Sequence, residues 1–89
     1  MRAIVSVIGK DQVGIIANVC SMLAVQQVNV LDISQTVLQE YFTMIMVVDT
    51  AACPLNFADL VTKLEEEGQR MGLTIHVQRE DLFNAMHRI

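Results

Sequence analysis

Between Tyr41 and Val48 the sequence reads YFTMIMVV, apolar on both phases of the two-residue strand period except at Thr43. A strand that buries one face alternates apolar and polar residues, so this run predicts a central strand with both faces covered. The chain has 89 residues, and a domain of that size buries only about 60 to 65% of its unfolded surface. One core is therefore all it can build, and the remaining elements must be arranged around this strand.

The flanking patterns name those elements. Arg2 to Ile8 (RAIVSVI) is a β-branched run ended by Gly9, too short for a helix and long enough for a strand. After Gly14, the residues Ile15, Ile16, Val19, Cys20 and Leu23 recur at helical spacing and predict an amphipathic helix from Ile15 to Gln26. Val28 to Leu38 returns to strand character, and Gln39-Glu40 is a tight connection into the central run. Pro54 marks a turn, Asn56 is a helix N-cap, and Asp59 lies in the first turn, where the helix dipole favours negative charge. Phe57, Leu60, Val61, Leu64 and Met71 form the stripe of a second helix stopped by Gly72, with Gly68 inside it as a weakness of about 1 kcal/mol relative to Ala. Leu73 to Gln78 alternates cleanly as a fourth strand, and Leu82, Phe83, Met86 and Ile89 predict a short closing helix from Glu80 to Ile89.

The order β-α-β-β-α-β implies a single α+β domain over residues 1–89: a ferredoxin-like, four-stranded antiparallel sheet with two helices on one face. The other face of such a sheet is normally solvated, yet the central run is apolar on that phase too. The closing helix or a second copy of the chain is expected to cover it, and a symmetric homodimer is the commonest means. Sheets joined side by side and sheets stacked face to face both remain open. Charged residues are only 18% and hydrophobic residues 53%, against roughly 25% charged in an average domain, which leaves apolar surface for a partner.

Several function classes are excluded at this level. A net charge of −4 with scattered Lys and Arg argues against nucleic acid. Tyr41 and Phe42 sit together at one strand end instead of forming the spaced aromatics that stack RNA bases. No run approaches the roughly 18 to 20 apolar residues of a membrane helix or carries a signal-peptide pattern, so a cytoplasmic location and no membrane partner are expected. Cys20 and Cys53 lack a Cys-x-x-Cys motif and the histidines lack ligand spacing, so no metal site and no cofactor are assigned. Glu65, Glu66 and Glu67 occupy consecutive helix positions that point apart, a solvated face and not an acid/base pair. Met44 and Met46 read as core filling, and His76 as an exposed strand residue. Ser6, Ser21 and Ser34 carry no nucleophile motif. No catalytic residue is assigned, and an enzyme is not expected.

The stretch Gly9-Lys10-Asp11-Gln12-Val13-Gly14-Ile15 carries the functional signal. A loop from a strand into a helix start offers unpaired N–H groups and partial positive charge to an anion, and glycine admits a ligand close to the backbone. Asp11 can pair with an ammonium group, and Asn29, at the start of the next strand, can donate and accept hydrogen bonds. Together they suit an α-amino acid. The competing reading is purely structural: Gly9 and Gly14 as turn glycines, Asp11 as a helix cap, Asn29 as a strand-entry residue. Neither the dinucleotide Gly-x-Gly-x-x-Gly fingerprint nor a P-loop is present.

GKDQVGIIANVCSMLAVQQVNVLDISQTV followed by YFTMIMVV resembles the ACT domain over essentially the whole chain, and is similar to the small stand-alone ACT-domain proteins of bacteria. The pattern Gly-x-Asp-x-x-Gly-Ile-x-Ala, then Asn-Val-x-Asp-Ile-Ser-Gln, is that of amino-acid-sensing ACT domains of the glycine-cleavage-regulator kind. The resemblance implies a ferredoxin-like fold, pairing of domains, and small ligands, usually amino acids, bound between domains. By match to the motif, Asp11 stands in the ligand loop, Gly14 is the close-approach glycine, Ile15 offers only its backbone N–H, and Asn29 is the polar residue of the second strand. Val13 departs from the pattern, since many relatives have proline there. The expected function is thus a regulatory module: a homodimer that binds a small molecule, an amino acid, and modulates a metabolic enzyme or a transcriptional regulator. The alternative is a protein-interaction or dimerisation module that needs no ligand.

Overall fold

The computed structural model describes residues 1–81. The expected closing helix, with Leu82, Phe83, Met86 and Ile89, and His87 with it, lies almost wholly outside the described residues. Six elements follow in the expected order: β1 (Arg2–Lys10), α1 (Ile15–Val25), β2 (Asn29–Leu38), β3 (Tyr41–Asp49), α2 (Phe57–Arg70) and β4 (Thr74–Arg79). They form one four-stranded antiparallel sheet in the order β2-β3-β1-β4. β1 does not end at Gly9, as its sequence suggests. It runs on to Lys10, pairing Gly9 with Phe42 and Lys10 with Tyr41.

The crossovers decide where the helices lie. β1 and β2 are both antiparallel to β3, and β3 and β4 are both antiparallel to β1, so each helix joins two parallel strands across one intervening strand. Right-handed crossovers in opposite strand directions pass over the same face. Each helix lays down residues four apart: Ile15, Val19 and Leu23 from α1, and Leu60, Leu64 and Gly68 from α2. They meet Ala3, Val5 and Val7 of β1, Phe42, Met44, Met46 and Val48 of β3, and Ile75 and Val77 of β4. Burying a Leu or Met side chain of this kind contributes about 1.5–3 kcal/mol, so the methionines of β3 are core filling.

The two helices cover one face of β3, and the closing helix expected on the other lies almost wholly outside the described residues. On the phase turned away from the helices, Tyr41 is 49% and Ile45 42% exposed, Thr43 and Val47 are half-buried, and the neighbouring Ile4 of β1 is buried. Ile8 and Leu38 also stay exposed near the same sheet end. Gly68 has a packing role besides its cost to the helix. It is buried where α2 crosses β4, and a Cβ there would come within 2.7 Å of Ile75 Cδ1. The glycine that looks like a helix weakness allows that contact. Among the described residues, no helix is long and apolar enough to cross a membrane.

Candidate functional site

The motif loop leaves β1 at Lys10 and is pinned to the β2–β3 turn: the Asp11 backbone N–H donates to the Glu40 carbonyl at 2.7 Å. The chain then enters α1 through Gly14, whose φ of 86° and ψ of 7° are left-handed, a conformation glycine adopts without steric penalty. A Cβ at Gly14 would meet only Asn18 Nδ2, at 3.7 Å, so backbone conformation and not crowding calls for glycine there. Gly9 differs: its Cβ would sit 2.6 Å from Leu73 Cδ2, which makes the first motif glycine a packing position.

Asp11 is not a helix cap. The N-cap of α1 is Gly14, no side chain caps it, and no acidic residue occupies the first turn. At α2, by contrast, Asn56 Oδ1 accepts from the Asp59 N–H at 2.8 Å. The first turn of α1 therefore presents N–H groups with no intrahelical acceptor, beside an exposed carboxylate from Asp11.

These groups face a cleft of about 160 Å³. Asp11, Gly14 and Ile15 line it, as the sequence suggests, together with Ile16, Ala17 and the ring of Phe42. Ile15 contributes more than a backbone N–H, because its side chain is core, 3% exposed. Phe42 is invisible to motif reasoning. It reaches the cleft only because the β1–β3 register pairs it with Gly9 and the β2–β3 register pairs it with Val37. On the other side of the loop a second cleft, about 260 Å³, lies between the start of α1 and the end of α2, lined by Gln12, Asn18 and Arg70 over Leu73. Gln12 Nε2 donates to the Met71 carbonyl at 3.3 Å across its mouth.

Asn29 is not brought to the cleft within one chain. It pairs with Asp49 at one end of the sheet, whereas Leu38, Tyr41 and Lys10 are aligned at the other, next to Asp11. Nine residue steps along β2 span roughly 30 Å at about 3.3 Å per residue. The remaining polar groups are surface features. Glu67 pairs with Lys63 at 3.5 Å and Arg70 at 3.1 Å, and His76 Nδ1 lies 3.9 Å from Glu65. Cys20 and Cys53 are free, and no group of three or more metal-ligating side chains occurs among the described residues.

Known proteins are similar in sequence and in fold. The profile of the ACT domain matches residues 2–78. A UPF0237 protein of Clostridium acetobutylicum is 52% identical over the full length of both chains. The ACT domain protein from Streptococcus pneumoniae superposes with a TM-score of 0.84 at 42% identity, covering 98% of each chain. The regulatory subunit of aspartate kinase from Thermus thermophilus superposes with a TM-score of 0.68 at 27% identity, over 89% of this chain and 51% of that one. With its βαββαβ order, its glycine-bracketed loop over an uncapped helix start and these likenesses, the chain belongs to the ACT domain family.

Proposed function

We propose that the protein is a regulatory module that binds an α-amino acid in the Asp11–Gly14 cleft as a homodimer and thereby modulates a partner protein, a metabolic enzyme or a transcriptional regulator. The observation that carries this reading is the cleft itself, where an exposed carboxylate lies beside an uncapped, acid-free helix start over an apolar floor. Asp11 would take the ligand's ammonium group, and the N–H groups at Ile15 and beyond its carboxylate. Gly14 lets the ligand approach the backbone.

Two features favour a dimer. One chain supplies only about 160 Å³, below the roughly 300 Å³ at which small-molecule pockets begin, so a second wall is needed. β2 is an edge strand, and antiparallel pairing of two copies along it exchanges their ends. The partner subunit's Asn29 then arrives near Leu38, at the Asp11 end of the sheet, which gives Asn29 a role that one chain does not allow it. Such a module has no need of a nucleophile or an acid/base pair, and it is not an enzyme in this reading.

The test is a thermal-shift screen of the protein against the common amino acids, with the mass in solution measured alongside. A ligand at 100 times its Kd adds about 2.7 kcal/mol, and Asp11→Ala with Asn29→Ala must abolish that shift. A flat screen sinks the reading and favours the ligand-independent interaction module, for which the exposed Ile8, Leu38, Tyr41 and Ile45 are the specific support.

A further inference from the structure

We infer that the outer face of the sheet, the one turned away from both helices, is a docking site for the chain's own last residues, Leu82 to Ile89, which cross it over the row Gln78–Ile4–Val47.

The observation that carries this is a burial with no source among the described side chains that flank it. Ile4 and Ile8 lie in the same strand and on the same outward phase, yet Ile4 is 5% exposed and Ile8 46%. Ile4 is flanked in the sheet by Arg2, Ser6, Val47 and Gln78, and Ile8 by Ser6, Lys10, Thr43 and Thr74. Ile45, with Ser6, Ser34, Thr43 and Val47 around it, is 42% exposed. Side chains stand roughly perpendicular to a sheet, so such neighbours lie beside an isoleucine and not above it. Arg2, the longest of those around Ile4, is drawn away to Glu80, two residues beyond Gln78, at 2.9 Å. Ile4 therefore has a cover that Ile8 and Ile45 lack. Its burial is complete within one chain, so a second copy is not the source.

The cover also has a direction. Gln78 and Val47, paired with Ile4 on either side, are half-buried, whereas His76 and Ile45, in the next row, are exposed. It runs across β4, β1 and β3 at the end of the sheet where β4 finishes. Position and length single out the C-terminal segment for this place. β4 ends at Arg79, Glu80 and Asp81 are already helical, and the Arg2–Glu80 ion pair fixes that start beside the Ile4 row. Eight residues follow. As a helix they span about 12 Å, enough for the two inter-strand steps of about 4.8 Å between β4 and β3. At helical spacing Leu82, Phe83, Met86 and Ile89 share one apolar face, with Asn84, His87 and Arg88 on the other.

Hydroxyl-radical footprinting read by mass spectrometry tests this on the full chain and on a variant carrying Phe83→Asp and Met86→Asp, with circular dichroism confirming that both are folded. In the parent, Ile4 should oxidise several-fold more slowly than Ile8, in line with their exposures. In the variant the rate at Ile4 should rise to that at Ile8, with Ile8 and Ile45 unchanged. In a second arm, Ile4→Ala should lower the urea midpoint of the parent and lower that of the variant far less, while Ile8→Ala has the same small effect in both. Should the Asp pair prevent folding, Phe83→Ala with Met86→Ala gives the same readouts. Ile4 still protected in a folded variant overturns the inference, as does an equal loss from Ile4→Ala in both backgrounds. Protection that fades when the parent is diluted, and that ignores the tail substitutions, assigns the cover to a second copy and overturns it as well.

Discussion

Replacing Gly68 with Ala sets local and tertiary physics against each other. Helix propensity alone favours Ala in the interior of α2 by about 1 kcal/mol. The structure opposes it: a Cβ at position 68 lies 2.7 Å from both Cγ1 and Cδ1 of Ile75 and 3.2 Å from its Cβ. Ile75 is 3% exposed and β-branched, so its side chain has no free rotamer into which to swing. Either α2 lifts from β4 or Ile75 leaves its staggered well. Overpacking of this kind costs about 1–3 kcal/mol. Less the propensity gain, and with two contacts well inside van der Waals distance, the net effect is a destabilisation of about 1–2 kcal/mol. In a domain of this size each kcal/mol moves Tm by roughly 4–8 °C. The assay is urea unfolding and thermal melting by circular dichroism, at matched protein concentration because dimerisation would otherwise shift Tm. A second arm isolates the cause. In an Ile75→Ala background the clash is gone, and Gly68→Ala should then stabilise that variant by about 1 kcal/mol. A Gly68→Ala protein as stable as the parent, or an equal loss in both backgrounds, would refute the reasoning.

Further outcomes follow from individual contacts. Asn56→Ala removes the acceptor for the Asp59 N–H and should lower stability by about 1 kcal/mol in urea titrations. Asp11→Ala should leave ligand-free stability within about 0.5 kcal/mol, since its loop is held by a backbone bond to Glu40, yet remove the amino-acid-induced thermal shift. Ser34→Lys, at an exposed position midway along edge strand β2, should leave the monomer folded. If two copies pair antiparallel along that strand with Ser34 opposite Ser34, which sets Asn29 against Gln39, the two lysines face each other and repel, so light scattering should report a monomer at concentrations where the parent is a dimer.

The sheet and both helices were legible in the sequence because each element keeps its own period. The core stripes Ile15-Val19-Leu23 and Leu60-Leu64 and the alternation of Leu73, Ile75 and Val77 are local patterns. Asn56 as the cap of α2 and Gly72 as its stop are local as well, and Gly72 takes the left-handed φ of 74° that such a stop uses. Asp11, Gly14 and Ile15 line one cleft because one short stretch of chain holds them together.

What only the tertiary structure decided depends on residues distant in sequence. Phe42 joins the cleft through the β1–β3 register, which no local pattern encodes. Gly9 and Gly68 look like a turn and a weakness until Leu73 and Ile75 are packed against them. The apolar run from Tyr41 to Val48 does mark a central strand, but which of its faces the helices cover was set by the crossovers, both of which pass over the same side. Asn29 sits in the motif 18 residues after Asp11, yet β2 carries it to the opposite end of the sheet. Sequence alone determined which segments are strands and helices, because periodicity is local. The structure determined which side chains meet, because that follows from strand order, register and the side on which each crossover passes.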